Sequence, residues 1–366
     1  MAVNEIGGPV LALGLMSGTS VDGVDAALLW TDGGSVAEPR GSLTSPYDDA
    51  LRTSLRSAIE RAEMLPDVKS VERAMTLAHA SAVAALLRQE GLQPEDIDVV
   101  GFHGQTLLHR PEAKLTWQIG DGAMLAVATE IDVVSDFRAA DVSAGGEGAP
   151  LAPVYHAALA AGLEKPLAVL NLGGVANVTW IGDGDRLLAF DTGPGNAMID
   201  DWCAAHTGER FDADGRLAAR GQLDRAVLDR MLDNDYFGRP PPKSLDRNDF
   251  SSTPVEGLSA ADGAATLAAF TVQAVARATE HFPAPVERWL VTGGGRHNRV
   301  LMAWLAEVLS ASVDPVEAVG WDGDALEAQA FAYLAVRSRR SLPLTFPSTT
   351  RAPRPMTGGH LDTALL

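Results

Sequence analysis

Cysteine is almost missing from this 366-residue chain. Cys203 is the single thiol, so no disulfide closes within the chain and no cysteine-built metal cluster forms. Lysine is scarce too. Lys69, Lys114, Lys165 and Lys243 are the four present and none follows a glycine, which removes the Gly-Lys-Ser/Thr core of a Walker phosphate loop. The dinucleotide fingerprint is also missing: Gly193-Pro-Gly195 begins its spacing, but Met198 stands where the third glycine belongs. No His-Glu-x-x-His or paired-cysteine metal spacing occurs. Long apolar runs are lacking as well. Val10–Met16 is too short for a signal-peptide core or a membrane span, and no basic segment precedes it. The expected compartment is a reducing cytoplasm. Positive charge is outweighed, 29 Lys and Arg against 48 Asp and Glu, a formal charge of −19. Such a field repels phosphodiester backbones and anionic lipid, so nucleic acid and membranes are not expected partners. A small anion such as ATP remains admissible, held locally by a metal and backbone N–H groups.

What is present fits two domains, each long enough to bury a core. Val10–Met16 reads as a buried strand, Ser17–Ser20 as a turn, and 21–30 as a second strand, together a hairpin. Residues 45–63 and 66–92 carry helical periodicity, with Val71, Met75, Ala78, Ala82 and Leu86 on one face of the latter. Short strands are expected at 97–102, 115–119 and 131–134. The polar, Gly-rich stretch 136–150 reads as a domain junction or binding loop, and a helix follows at 151–162. Strand, Gly turn and strand then recur at 167–181, so both halves open alike. Further elements are expected as a strand at 187–190, helices at 260–281, from 298 and at 325–337, and a strand at 288–292.

Four Gly-rich turns follow apolar strands. Ser17-Gly-Thr-Ser-Val-Asp-Gly23 offers hydroxyls and N–H groups to phosphate oxygens, and Asp22 an oxygen ligand for Mg²⁺; the same residues also suit an ordinary hairpin turn. Asn171-Leu-Gly-Gly174 is its counterpart. Asp191-Thr-Gly-Pro-Gly-Asn196 places a carboxylate at a strand end before a helix. It suits a general base or a cap of its own turn equally well. In Val291-Thr-Gly-Gly-Gly295 the glycines clear space for a base or ribose, or simply join strand to helix. Arg138 suits a ligand carboxylate, or a local pair with Asp136 or Asp141. Asp324-Ala-Leu-Glu327 fits a capping box, which by itself accounts for Glu327. His103 and His109 flank Gly104-Gln-Thr106 and read as hydrogen-bonding structural residues.

In their order and spacing, Gly14-Leu-Met-Ser-Gly-Thr-Ser-Val-Asp-Gly-Val-Asp25, Gly101-Phe-His-Gly-Gln-Thr106, Asp136-Phe-Arg138 with Gly145-Gly-Glu-Gly-Ala-Pro-Leu151, Asn171-Leu-Gly-Gly-Val-Ala-Asn177, Asp191-Thr-Gly-Pro-Gly-Asn196 and Val291-Thr-Gly-Gly-Gly295 resemble the anhydro-N-acetylmuramic acid kinase family. The resemblance runs from about residue 10 to about residue 350. It implies an α/β fold of two related actin- or ribonuclease-H-like domains around an interdomain ATP cleft. We expect the first at 1–135 with 345–366 and the second at 136–344. It implies an ATP- and Mg²⁺-dependent kinase, working on a small anhydrosugar in cell-wall recycling, and a homodimer. Water would open 1,6-anhydro-N-acetylmuramic acid at the anomeric carbon while the freed 6-oxygen takes the γ-phosphoryl group. Asp191 is the implied base and Glu327 a catalytic partner near metal and phosphates. Gly18, Thr19, Ser20, Val21, Asp22, Gly23, Val24, Asp25, Asn171, Gly173, Gly174, Gly293, Gly294 and Gly295 are implied at ATP, with Asp22 at the metal. His103, Gln105, Arg138 and Asn196 are implied at the sugar.

One departure is the segment Asp-Phe-Arg-Ala-Ala-Asp at 136–141, poorer in arginine than the family pattern. It leaves Arg138 as the main candidate for the lactyl carboxylate. Three rivals remain: a levoglucosan-type kinase, which needs no carboxylate clamp; a non-catalytic ATP-dependent binding protein, for whose peptide domain no residues are left over; and a dehydrogenase, against which the broken glycine spacing counts.

Overall fold

A computed structural model describes residues 7–18, 20–64, 67–184, 186–246 and 249–364; Thr19, an expected ATP contact, lies outside the described residues. The chain divides into two units, residues 1–162 with 325–366, and residues 163–324.

In the first unit β1 (Val10–Met16), β2 (Gly23–Thr31), β3 (Ala37–Pro46), β4 (Val99–Phe102) and β7 (Val133–Ser135) form one sheet in the order β3-β2-β1-β4-β7, extended by His360–Asp362. The hairpin β5 (Gln105–Arg110) and β6 (Leu115–Ile119) forms a separate two-stranded sheet. Alternation along β1 sorts the layers. Leu13 and Leu15 join the core made with helices Asp49–Glu60 and Lys69–Glu90. Gly14 faces the opposite layer, helix Leu326–Arg339, which lies against β1, β2 and β4. A Cβ on Gly14 would stand 1.8 Å from the Ala328 carbonyl oxygen, and one on Gly101 2.1 Å from that of Phe331. These glycines let the helix backbone seat directly on the sheet.

In the second unit β8 (Leu167–Leu172), β9 (Val175–Ile181), β10 (Leu187–Pro194), β11 (Arg288–Thr292) and β12 (Ser312–Pro315) run in the order β10-β9-β8-β11-β12. The pairing repeats that of the first unit: two antiparallel neighbours on one side of the opening strand, two parallel on the other. Helix Ala260–Ala278, started by the Ser259 hydroxyl accepting from the Asp262 N–H at 3.1 Å, is buried nearly all round in this unit's core, as its alanine-rich sequence permits.

Three differences from the sequence reading have physical causes. The Gly-rich stretch 136–150 joins no two domains. The Asp141 carboxylate, 2% exposed, accepts from the Gly148 N–H and from the hydroxyls of Thr345 and Thr350, which fastens the loop within the first unit. Tyr155 likewise donates to Gln329 Oε1 at 2.8 Å. The division therefore falls after Gly162 and Asp324, not at the expected 135/136 and 344/345. Helix Leu326–Arg339 has Ala325 as N-cap with no side-chain cap bond, so the capping box is not formed; Asp324 pairs instead with Arg296 at 2.8 Å.

Candidate active site

β8, β10 and β11 run the same way, since β10 is antiparallel to β9 and β9 to β8. Their C-terminal ends therefore bring the three Gly turns of the second unit to one edge, where open α/β sheets bind ligands. The Gly195 and Asn196 N–H groups donate to the carbonyls of Gly174 at 2.9 Å and Gly173 at 2.7 Å, and Asn196 Nδ2 donates to the Leu172 carbonyl at 2.6 Å. Gly293 takes φ 76°, and a Cβ there would stand 2.3 Å from Asn171 Oδ1. Asn171, Gly173, Gly174, Asn196 and Gly293–Gly295 thus form one assembly.

Asp191 sits late in β10, 7% exposed, where the pairing with β9 slips between Asp191 and Gly193. Its backbone N–H donates to the Lys243 carbonyl at 2.9 Å, and its carbonyl accepts from the Tyr236 hydroxyl at 2.5 Å. Its Oδ2 accepts from the Leu245 N–H at 2.8 Å. Two bonds to the backbone of Asp191 and one to its carboxylate hold the group's aim, as a general base would require. Lys243, which carries no signal in the sequence beyond its rarity, ties down the segment that supplies these bonds. Its ammonium donates to the carbonyls of Tyr236 at 2.9 Å and Phe237 at 3.2 Å and lies 4.5 Å from the Tyr236 ring centroid. Burial first, then the Arg239 charge, push its pKa down to about 8.

Sequence reasoning also missed Arg296, although it directly follows the triple glycine. Its side chain is 3% exposed. Nε pairs with Glu317 at 2.9 Å, Nη2 with Asp324 at 2.8 Å, and Nη1 donates to the Gly293 carbonyl at 3.1 Å. The carboxylate partners sit on a distant stretch, and only the fold reveals them.

In the first unit, the turn after β1 closes with the Val21 N–H donating to the Gly18 carbonyl at 3.1 Å. Val21 is held at φ 56°, a conformation that a β-branched residue rarely adopts. Val21 and Val24 are 1% exposed in the core, so any ligand contact from them is a backbone one. Ser20 and Asp22 are exposed, and Asp25 Oδ1 accepts from the Thr44 hydroxyl at 2.6 Å. Ser17, whose hydroxyl the sequence offers to phosphate, is buried and braces the turn together with Tyr47, which carries no signal in the sequence: Tyr47 donates to Ser17 Oγ at 3.0 Å and Ser17 donates to Gln105 Oε1 at 2.8 Å.

Nearby, Arg138 Nη2 lies 3.0 Å and Nε 3.3 Å from His103 Nε2, while Nη1 donates to the Gly148 carbonyl at 2.6 Å. The alternative of a partner at Asp141 is not what the structure forms, since that carboxylate serves the Gly148 amide and two threonines. An arginine only donates, so His103 Nε2 carries the lone pair and the proton is on Nδ1. Burial first, then the Arg138 charge, hold the His103 pKa well below its ordinary value. His103 also walls a cavity of about 260 Å³ lined by Thr116, Trp117, Gln118, Ser135 and Asp136, an indole face among polar groups. Hairpin β5–β6 supplies much of this lining, and Trp117 and Gln118 carry no signal in the sequence beyond lying on it. His109 is structural, its ring nitrogens bonded to Thr116 Oγ1 and the Glu147 carbonyl. Glu327 is exposed in the first turn of helix Leu326–Arg339.

Residues 10–363 match the family model described as anhydro-N-acetylmuramic acid kinase. The chain belongs to the anhydro-N-acetylmuramic acid kinase family. The family member of Rhodospirillum rubrum is 59% identical over 362 residues, covering 98% of this chain and 96% of the relative. That of Paramagnetospirillum magneticum is 59% identical over 354 residues, covering 96% and 99%. Both bear the name anhydro-N-acetylmuramic acid kinase. Among solved structures, component A of (R)-2-hydroxyglutaryl-CoA dehydratase from Acidaminococcus fermentans superposes with a TM-score of 0.50 at 13% identity, covering 90% of this chain and 99% of that one. Likeness at that identity speaks to the fold alone, the mixed α/β architecture of two like units. Among the described residues of this family member, no helix is long and apolar enough to cross a membrane.

Proposed function

We propose that the chain is an ATP-dependent kinase that opens 1,6-anhydro-N-acetylmuramic acid with water and yields N-acetylmuramic acid 6-phosphate. The observation that carries this reading is the Asp191 carboxylate, nearly buried at a strand end and aimed by the Leu245 N–H, in a chain that matches the kinase family from residue 10 to 363. Asp191 takes a proton from water as its oxygen bonds to the anomeric carbon. The bond from that carbon to the 6-oxygen breaks, and the 6-oxygen takes the γ-phosphoryl group while ADP leaves.

The second unit contributes Asp191 and, at the same sheet edge, the glycine assembly at 171–174 and 293–295 for the nucleoside. The first unit contributes the phosphate turn at 18–25. For the sugar it offers the cavity beside His103, with Arg138 as the clamp for the lactyl carboxylate. Magnesium offsets phosphate charge in such transfers. The exposed Asp22 carboxylate is a hard oxygen donor that fits it, directly or through water. Glu327, exposed at a helix start, is the second acidic group we assign to the chemistry.

The test is incubation with Mg²⁺-ATP in water enriched in heavy oxygen, offering 1,6-anhydro-N-acetylmuramic acid, levoglucosan and N-acetylmuramic acid separately. Mass spectrometry should find phosphorylated muramic acid labelled at the anomeric carbon. Asp191→Asn, which keeps an oxygen for the Leu245 N–H, should turn over about 10²- to 10⁴-fold more slowly. Phosphorylation of levoglucosan alone would overturn the substrate and the role of Arg138. ATP binding without any sugar turnover would point to a binding protein.

A further inference from the structure

The amide of Gln105 is spent inside the protein. Gln105 is fully buried, and its Oε1 accepts from the Ser17 hydroxyl at 2.8 Å. Its Nε2 donates to the carbonyls of Gly18 at 3.3 Å and Thr106 at 3.4 Å. A carboxamide has two N–H groups, and both are used. Ser17, 1% exposed, is held in turn by the hydroxyl of Tyr47, itself 4% exposed. Behind Tyr47 stands the His79 ring, 6.3 Å away between centroids, and behind that Phe102 at 4.9 Å. The row therefore runs from a packed aromatic layer to the turn between β1 and β2.

The Gly18 carbonyl is where this row matters. It accepts from Gln105 Nε2 and from the Val21 N–H at 3.1 Å. A carbonyl engaged by two donors is fixed in direction and its negative end is occupied, and it closes the turn in which Val21 takes φ 56°. For Gln105 to reach a sugar it would have to leave the buried Ser17 hydroxyl without its acceptor and the Gly18 carbonyl with one donor fewer, which polar groups resist. We propose that Gln105 is a positioning residue of the phosphate turn, acting through Ser17 and Gly18, rather than the sugar ligand its sequence position suggests. The proposal rests on the reading of residues 18–25 as the ATP turn.

The test compares the full-length wild type with Gln105→Met, which keeps the side-chain length and removes both donors, and with Tyr47→Phe, which removes one hydroxyl two steps from the turn. Calorimetry measures binding of the non-hydrolysable analogue AMP-PNP with Mg²⁺ and no sugar; steady-state kinetics measure KM for ATP and for the anhydrosugar. Gln105→Met should weaken the analogue about tenfold and Tyr47→Phe about threefold, the loss expected of buried hydrogen bonds, with the sugar KM within about twofold of wild type. Should Gln105→Met fail to fold, Tyr47→Phe decides alone. Unchanged analogue binding with a raised sugar KM would overturn the proposal, as would equal losses for both ligands. A wild type that binds no nucleotide would overturn the kinase reading itself, and the proposal with it.

Discussion

Arg296 shows what a single guanidinium does beside a loop that has no side chains of its own. It joins Glu317, Asp324 and the Gly293 carbonyl, so the triple glycine is shaped by a neighbour. A lysine carries one compact charge and cannot fork across two carboxylates. Arg296→Lys should lower stability by about 2 kcal/mol, the scale of a lost charge-assisted bond at a buried group. It should also raise KM for ATP more than it lowers kcat. Denaturant melts and steady-state kinetics check both; an unchanged KM would detach this residue from the nucleotide loop.

Helix Leu326–Arg339 sits on the sheet because Gly14 and Gly101 offer no Cβ. Gly14→Ala would put a methyl 1.8 Å from a backbone oxygen, so the helix must lift along its length. The expected cost is about 3 kcal/mol, the upper range for overpacking, read as a lower denaturant midpoint at constant slope. This helix also marks how far the sequence can be read. Elements with strong periodicity are legible: Val10–Met16 as a strand and Lys69–Glu90 as a helix with Met75, Ala82 and Leu86 buried. Strand Ala37–Pro46 is not, because Pro39 and Gly41 interrupt it and charges dot it, as suits a sheet edge. No strand is expected between 102 and 115, yet β5 starts at Gln105. The Gly turns are legible as turns, because glycine after an apolar strand breaks it, whereas the part played by Asp191 is not, since a carboxylate at a strand end suits a base and a cap alike. Tyr47, Lys243 and Arg296 are not, since their partners are brought near only by folding.

For the whole molecule, acidity should be the weak side of its stability. Burial lowers the pKa of His79 to about 4 and of His156 to about 3, and holds His103 well below its usual value. All three lie in the first unit, neutral when folded, and unfolding returns them to about 6.5. Between those values the unfolded chain binds more protons, so stability falls as pH drops from about 6.5 toward 4. Denaturant midpoints at pH 7 and pH 5 should show the loss, and His79→Phe should shrink the difference; equal midpoints would refute it.

The two sheets share one strand order, and the halves part company past the first parallel neighbour of the opening strand. One half carries hairpin β5–β6 there, the other a glycine turn and helix Arg299–Leu309. If the cavity beside His103 holds the sugar, taste is carried by residues 103–119, a graft on a frame that both halves share.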